Sequence, residues 1–153
     1  MKENYEIDNL DRQILAQLLK DARTPFLEIA RKLIVSGGTI HQRIEKLKKM
    51  GVIEGSKFEL NLQKLGYDVT VFLGIHLTNA KDLNMVIEKL KAMPEVVEAH
   101  YTTGNYALLI KLHTKSIRDF HTFLAERLQS IEAIQSTESF ISLDQPIKRE
   151  ITP

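Results

Sequence analysis

Residues 35–51 read VSGGTIHQRIEKLKKMG, and the fold of the N-terminal part of the chain can be inferred from them. Ser36 is a favoured N-cap residue in a tight, glycine-containing break, and Gly51 supplies a stop. Apolar side chains recur between them at helical spacing: Ile40, Ile44, Leu47 and Met50. At about 100° per residue, a polar set falls on the opposite side: Thr39, Gln42, Lys46 and Lys49. The stretch predicts a helix with one apolar face and one polar, cationic face.

Two helices are predicted ahead of this one. Asp8 is an N-cap candidate for the first, which should run to about Lys20, and its apolar positions are Leu10, Ile14 and Leu18. The second should begin at Thr24 and Pro25, with Thr24 as the cap and Pro25 at the first helical position, where a missing N–H costs nothing. Its expected apolar stripe is Leu27, Ala30 and Leu33.

Two helices joined by a short glycine-containing turn are typical of a helix-turn-helix, whose second helix enters the major groove of DNA. Glutamine can bond adenine edges, and lysine can bond guanine or a phosphate. A three-helix bundle with an ordinary polar surface has the same spacing, so both interpretations stay open on this pattern. Residues 52–60 contain a β-turn signal and predict a short two-stranded wing, with Lys57 as a phosphate contact.

The charge is unevenly distributed along the chain. Residues 23–57 hold eight Lys and Arg against three Glu, a net charge of +5, whereas residues 61–153 hold ten basic and eleven acidic groups. Nucleic-acid binding depends on the local field, so this basic segment favours an anionic partner for the first part of the chain.

The second half predicts a small sheet. Residues 67–78 alternate strictly, and the apolar positions are Tyr67, Val69, Val71, Leu73, Ile75 and Leu77. A helix with Leu83, Val86, Ile87 and Leu90 follows, and then a strand with Val97, Ala99, Tyr101 and Thr103. Gly104 and Asn105 signal a hairpin into a strand with Leu108, Ile110 and Leu112. Ser116 and Asp119 cap a helix with Ile117, Phe120, Leu124 and Leu128, and a last strand covers about residues 134–143.

The order βαββαβ is the split-βαβ, ferredoxin-like arrangement, in which both helices cover one face of the sheet. The overall fold class is therefore α+β, with three N-terminal helices followed by a ferredoxin-like domain. The uncovered face predicts dimerisation or ligand binding. Dimerisation suits the first half, because a two-fold pair of recognition helices reads a palindromic site.

Several classes of protein are disfavoured by composition. The 153 residues include no Cys, which excludes disulfides and thiolate metal sites, and no apolar run is long enough to span a membrane. The five histidines, His41, His76, His100, His113 and His121, lack metal-ligand spacing, and no nucleophile or phosphate-loop motif is present. We therefore expect a cytoplasmic protein that is not an enzyme and carries neither a metal nor a cofactor.

Over nearly its whole length the chain resembles the Lrp/AsnC family of regulators, and specifically its asparagine-regulator branch. The matching blocks are residues 7–15 (IDNLDRQIL), 22–24 (ART), 35–43 (VSGGTIHQR), 65–69 (LGYDV), 101–106 (YTTGNY), 134–138 (IQSTE) and 145–149 (QPIKR). One departure is Gly37, which stands where that branch usually has proline, so we expect a less preorganised start to the recognition helix.

The resemblance implies a transcriptional regulator with a winged helix-turn-helix in residues 1–60, a linker in 61–66 and an effector-binding and oligomerisation domain in 67–153. It implies homodimers that assemble further into octamers and a free amino acid, first of all asparagine, as effector. Mapped onto this chain, the effector-binding residues are Tyr101, Thr103, Gly104, Asn105, Tyr106, Ser136, Thr137 and Glu138.

The partner of the first half is expected to be double-stranded DNA. The residues expected at the DNA are Arg23, Ser36, Thr39, His41, Gln42, Arg43, Lys46, Lys49 and Lys57. Thr39, Gln42 and Lys46 are expected to read bases, while Arg23, Arg43, Lys49 and Lys57 hold phosphates. The alternative is a nucleoid-like architectural protein with little sequence preference and little response to an effector.

Overall fold

The computed structural model describes residues 6–153, which fold into two compact units. The N-terminal unit comprises the residues up to Glu59 together with Ile147–Pro153, and the second unit is Leu60–Pro146. The last segment of the chain, Ile147–Pro153, belongs to the first of these units. In that segment, Lys148 Nζ lies 2.5 Å from Glu59 Oε1.

The elements follow the expected order. The helices are α1 (Asn9–Lys20), α2 (Phe26–Leu33), α3 (Gly37–Lys49), α4 (Leu83–Lys91) and α5 (Ile117–Thr122), and α5 continues as a π-helical segment over Phe123–Leu128. The strands are β1 (Val69–Leu77), β2 (Val96–Tyr101), β3 (Leu108–Thr114) and β4 (Ile134–Ile141). Short 3₁₀ turns lie at Gln63–Leu65 and Ala80–Asp82.

The three helices of the N-terminal unit bury their apolar faces against one another. The buried cluster consists of Ile14, Ile29, Ala30, Ile40 and Ile44. Asp8 caps α1 as expected, because its side chain accepts the Asp11 N–H and the Asp11 side chain accepts the Asp8 N–H in return.

The start and the apolar stripe of α2 differ from the prediction. Pro25 is the N-cap rather than the first helical residue, and the Thr24 hydroxyl donates to the Asp21 carbonyl at 2.8 Å instead of capping the helix. Leu27 is 65% exposed, while Phe26 and Ile29 pack into the core. The residues that pack into the core, Phe26, Ile29, Ala30 and Leu33, follow i, i+3, i+4, i+7 spacing, and Leu27 lies outside that face.

The predicted wing is not formed by paired strands, since residues 52–60 contain none. The N–H groups of Val52 and Ile53 instead bond the Leu47 carbonyl at the end of α3, at 2.9 and 3.2 Å. These donors are therefore used to finish the helix, and an isolated two-stranded hairpin has little stability of its own.

The second unit is an antiparallel sheet with the order β2-β3-β1-β4, the ferredoxin-like arrangement. The alternation is confirmed within β1, where Val69, Val71, Leu73 and Ile75 are all buried, but Tyr67 precedes the strand and is 38% exposed. Val71, Leu73 and Ile75 lie opposite Leu112, Ile110 and Leu108 of β3 in register. These two central strands form the core with Val86, Leu90, Phe120, Phe123 and Leu128 from the helical side.

The edge strands are more exposed than their apolar patterns indicate. In β2, Val97 is 50% and Tyr101 is 72% exposed, and in α5 Ile117 is 54% exposed. The prediction that these three side chains are buried is therefore wrong. An edge strand and the first residue of a helix extend beyond the layer that covers the core. On the uncovered face, Phe72 of β1 lies opposite Phe140 of β4.

Candidate functional site

The polar face of α3 is displayed as the sequence indicates. His41, Gln42, Lys46, Lys48 and Lys49 are exposed, whereas Ile40, Ile44 and Leu47 are buried. Lys48 is held on its own helix by Glu45, with Nζ and Oε1 3.0 Å apart. The exposed side chains together give this helix a cationic, hydrogen-bonding surface.

The start of α3 is organised by a local cap. The Ser36 hydroxyl accepts the Thr39 N–H at 3.1 Å, and the two hydroxyl oxygens lie 2.8 Å apart. This cap fixes the Thr39 side chain beside the first turn of the helix, which is the end that helix-turn-helix proteins direct toward base edges.

Arg43 has intramolecular partners at the start of α1. Its guanidinium Nη1 bonds the carboxylate of Asp8 and lies 3.2 Å from Asp11 Oδ1. The hydrogen bond that Arg43 donates to Asp8 raises the pKa of Arg43, and the pKa of Asp8 is lowered, first by the Asp11 backbone N–H and then by Arg43. Asp11 is completely buried. Arg43 therefore ties α3 to the N-terminus of α1.

The other expected DNA contacts lie on exposed parts of the same unit. Arg23 follows α1, and its backbone N–H donates to Asp21 Oδ1 at 2.8 Å. Lys57 is exposed in the segment that follows α3. The pKa of nearby Glu59 is lowered first by its hydrogen bond to Lys148 and to a smaller extent by the charge of Lys57. The His41 ring packs near Phe26, with centroids 6.1 Å apart.

A second candidate site is a pocket of about 290 Å³ in the sheet unit. It lies where β1 ends, where residues 102–107 connect β2 to β3, and where the chain turns toward α4. Its lining consists of His76, Leu77, Ala80, Leu83, Tyr101, Thr102, Gly104, Asn105, Tyr106 and Ala107. The lining therefore combines apolar side chains with neutral hydrogen-bonding groups.

Tyr106 connects this pocket to β4. Its hydroxyl donates to Glu138, and this bond raises the pKa of Tyr106. Its ring packs against His76, with centroids 5.0 Å apart, and it lies directly over Gly74. The loop itself is closed by the Thr102 hydroxyl, which donates to the Tyr106 carbonyl at 2.6 Å.

The structure brings together only part of the expected effector set. Tyr101, Gly104, Asn105 and Tyr106 line the pocket, and Glu138 reaches it through Tyr106. The lining of this pocket does not include Thr103, Ser136 and Thr137.

Sequence reasoning did not find His76, Leu77, Ala80, Leu83, Thr102 and Ala107. Thr102 lies within residues 101–106, the block matched to the family, and Ala107 follows it directly. Their position in this hairpin could therefore have indicated that they line the pocket. The other four come from the end of β1 and the start of α4, which only the folded sheet brings beside that hairpin.

Within residues 6–153, no three His, Asp or Glu side chains are placed to hold a metal ion together. The helices in that range are all too short or too polar to cross a membrane.

The two units match two known families. Residues 7–54 match the sequence profile described as "Winged helix-turn-helix DNA-binding", and residues 70–152 match the one described as "Lrp/AsnC ligand binding domain". The chain is 51% identical over 149 residues to the regulatory protein AsnC of Haemophilus influenzae, with 97% of this chain and 99% of that protein covered. It is 48% identical over 151 residues to the same protein of Escherichia coli K12, with 99% of each covered.

Solved structures agree with these matches. The structure of E. coli AsnC superposes with a TM-score of 0.94 at 46% identity and covers 97% of this chain and 100% of that chain. A transcriptional regulator from Neisseria meningitidis, solved as a complex with L-Met, has a TM-score of 0.91 at 20% identity and covers 97% of each chain. The latter likeness concerns the fold alone.

Proposed function

This chain belongs to the Lrp/AsnC family of DNA-binding transcriptional regulators, and we propose that its DNA binding or oligomerisation responds to free asparagine. The observation that carries the proposal is the pocket at the end of β1, lined by Tyr101, Asn105 and Tyr106 from the hairpin block of the asparagine-regulator branch. A related regulator of the same fold was solved with an amino acid, L-Met.

The chemistry of the pocket suits a neutral amino acid. Asn105 and Tyr106 offer neutral hydrogen-bonding groups, and the backbone N–H groups around Gly104 can bond a carboxylate. We propose that Glu138, which accepts the Tyr106 hydroxyl beside the pocket, also accepts the ammonium group. Because Glu138 would repel a second carboxylate and the pocket lining contains no Lys or Arg, asparagine should be preferred over aspartate.

Thermal unfolding of the pure protein tests this proposal, with each of the twenty amino acids added at millimolar concentration. A ligand present at 100 times its dissociation constant adds about 2.7 kcal/mol to the free energy of unfolding, which is a clear shift in Tm. We expect a shift with asparagine and a much smaller one with aspartate. A shift with another amino acid instead would overturn the choice of asparagine, and no shift with any of the twenty would overturn the sensor.

For DNA, we propose that Thr39, Gln42 and Lys46 read bases and that Lys49, Arg23 and Lys57 hold phosphates. Ser36 would act through its cap on Thr39, and His41 would lie beside the reading face. We assign Arg43 mainly to the contact between α3 and α1, because both of its carboxylate partners lie there.

Binding titrations against the operator and against random DNA test these roles at several salt concentrations. Lys49→Ala should weaken binding to every sequence by a similar factor and reduce the salt dependence, whereas Gln42→Ala should reduce the preference for the operator. Lys89→Ala is the matched control, since it removes an exposed lysine from α4 in the other unit. An unchanged preference in Gln42→Ala would show that the reading face is assigned wrongly.

We also propose that the chain acts as a homodimer that assembles further into octamers. We place it on the nucleoid in the cytoplasm, where a DNA-binding regulator meets its target, and we propose that it is not an enzyme. The uncovered sheet face, with Phe72 opposite Phe140, supports assembly. An architectural role is the competing outcome: footprints spread uniformly over random DNA and insensitive to amino acids would favour it.

A further inference from the structure

We propose that Gly74, which does not line the pocket, determines the binding specificity of the amino-acid site by seating Tyr106. This inference rests on the proposed function, since it concerns the same pocket. Gly74 lies in the middle of β1, a position where glycine normally weakens a strand and has no side chain to pack. Its presence there therefore needs a local reason.

The reason is the close approach of the Tyr106 ring. A Cβ atom placed on Gly74 would lie 2.5 Å from Tyr106 Cδ1 and 2.6 Å from both Cγ and Cε1. An ordinary van der Waals contact needs 3.4–4 Å, so any side chain at this position would push the ring away by about 1 Å. Gly74 is itself buried in this arrangement.

Tyr106 is held in this position from three directions. Its hydroxyl donates to Glu138 on β4, its ring packs against His76 on β1, and its carbonyl accepts the Thr102 hydroxyl. Glu138 lies directly opposite Gly74 in the β1–β4 register, so the hydrogen bond requires the ring to cross over Gly74. A ring displaced from the sheet cannot keep this bond.

The consequence for the pocket follows from the position of the ring. Tyr106 and His76 are both pocket-lining residues, so moving the ring changes the shape of the pocket and the position of the Glu138 acceptor together. Gly74 is thus a positioning residue that acts on the ligand through Tyr106. Substituting it should alter which amino acids bind while leaving the DNA-binding unit untouched.

A double-mutant cycle on thermal stability tests the contact between Gly74 and the Tyr106 ring without any ligand. Gly74→Ala should lower Tm in the unaltered chain, because the new methyl group meets the ring. In a Tyr106→Ala background the same change should leave Tm unchanged or raise it, because the ring is gone and alanine suits a strand better than glycine. Equal losses of Tm in both backgrounds would overturn the proposed contact.

Tyrosine labelled with ¹³C at Cζ supplies a second readout that a general loss of stability would not mimic. The Tyr106 hydroxyl should titrate above the ordinary tyrosine pKa of 10.0, because its bond to Glu138 disfavours the phenolate. In Gly74→Ala, and in Glu138→Gln, the midpoint should fall toward the ordinary value. If Gly74→Ala left the titration midpoint of the Tyr106 hydroxyl unchanged, the proposed positioning of Tyr106 by Gly74 would be wrong.

Binding is then measured with L-asparagine, L-aspartate and the other amino acids on the full-length protein. We expect Gly74→Ala to weaken asparagine binding at least tenfold and to change the order of preference, with operator binding in the absence of amino acid unchanged. Gly55→Ala is the control, since a Cβ there meets no atom within 4 Å. If the unaltered protein and Gly74→Ala bind the same amino acids with the same affinities, the role of Gly74 is wrong but the proposed function stands. An unaltered protein that binds no amino acid overturns the proposed function and this inference with it.

Discussion

Ile34 lies in the left-handed backbone region, with φ 56° and ψ 47°, at the end of α2. Among the described residues, 6–153, it is the one residue other than glycine with a positive φ. A β-branched side chain is strongly disfavoured there, and this one is 92% exposed, so it gains almost nothing by packing. The turn of the helix-turn-helix therefore contains a strained residue.

Replacing Ile34 by glycine should stabilise the N-terminal unit. Ile34→Gly relieves about 1–2 kcal/mol of left-handed strain, offset in part by the greater freedom of glycine in the unfolded chain. Urea unfolding followed by circular dichroism measures the change. Ile34→Ala is the control, because it removes the exposed side chain but keeps a Cβ. If both variants had the same stability, strain at this residue would not be the cause.

Arg43 gives a second prediction for a single residue, because it faces the buried Asp11 and the exposed Asp8. Arg43→Ala removes a cation from beside the buried Asp11 carboxylate and should destabilise the protein by about 1–3 kcal/mol. Urea unfolding at neutral pH measures this loss. If Arg43 were only a phosphate contact, the variant would lose DNA affinity with unchanged stability.

The pH dependence of stability offers a check on the same contact. The pKa of Asp8 is lowered in the folded state, so its contribution to stability is complete above the ordinary value of 3.8 and is lost as the pH falls through the folded pKa. Stability should therefore fall below about pH 3.8, and this fall should be smaller in Arg43→Ala. Unfolding curves at about pH 5 and about pH 3 compare the two proteins, and parallel losses would contradict the assignment.

Among the helices, α3 has a start that is less constrained than it could be. Gly37 is the first helical residue after the N-cap Ser36, and Ser36 has φ −73° and ψ 152°, a conformation that a residue preceding proline readily adopts. A Cβ on Gly37 would lie 2.9 Å from Leu27 Cδ2, the end of a flexible side chain that is 65% exposed. Leu27 can therefore move away at little cost.

Gly37→Pro should consequently stabilise the recognition helix. Proline at the first helical position loses no hydrogen bond and restricts the unfolded chain, which is worth about 0.4–1 kcal/mol. Thermal unfolding measures the gain, with Gly38→Ala as a control that adds a Cβ without fixing φ. A lower Tm for Gly37→Pro would show that Leu27 cannot yield.

For the molecule as a whole, the uncovered face of the sheet needs a partner. Phe72 and Phe140 face each other across β1 and β4 and are 39% and 47% exposed, and Lys111 Nζ lies 5.9 Å from the centre of the Phe72 ring. Two partly exposed phenylalanines on the uncovered face of a small sheet favour burial of that face against a second copy of the chain.

Phe140→Asp should therefore dissociate the proposed dimer, because it places a charge where an apolar surface would be buried. Sedimentation velocity should show the mass falling to that of one chain, with a folded circular dichroism spectrum. Ile117→Asp is the control, since it puts the same charge at the start of α5, where an acidic residue is favourable. An unchanged mass for Phe140→Asp would exclude this face as the interface.

Local signals along the chain were enough to predict the five helices and the four strands of the sheet in their order, but not the absence of strands in residues 52–60. The helical spacing of Ile40, Ile44 and Leu47 and the alternation in β1 are local patterns, and Asp8 and Ser36 cap within their own first turns. Such signals depend on neighbours a few residues away, so they can be read from the sequence. The blocks that resemble the family also allowed the helix-turn-helix and the hairpin of the pocket to be predicted.

Which distant side chains meet became known only from the folded chain. Arg43 turns to Asp8, 35 residues before it, and Tyr106 reaches Glu138, 32 residues after it. Tyr106 also lies on Gly74, a glycine that no local pattern explains. These contacts depend on the packing of helices and on the register of strands, which bring together residues that are distant in the chain. The exposure of β2 has the same origin, because a strand becomes an edge only through its place in the sheet.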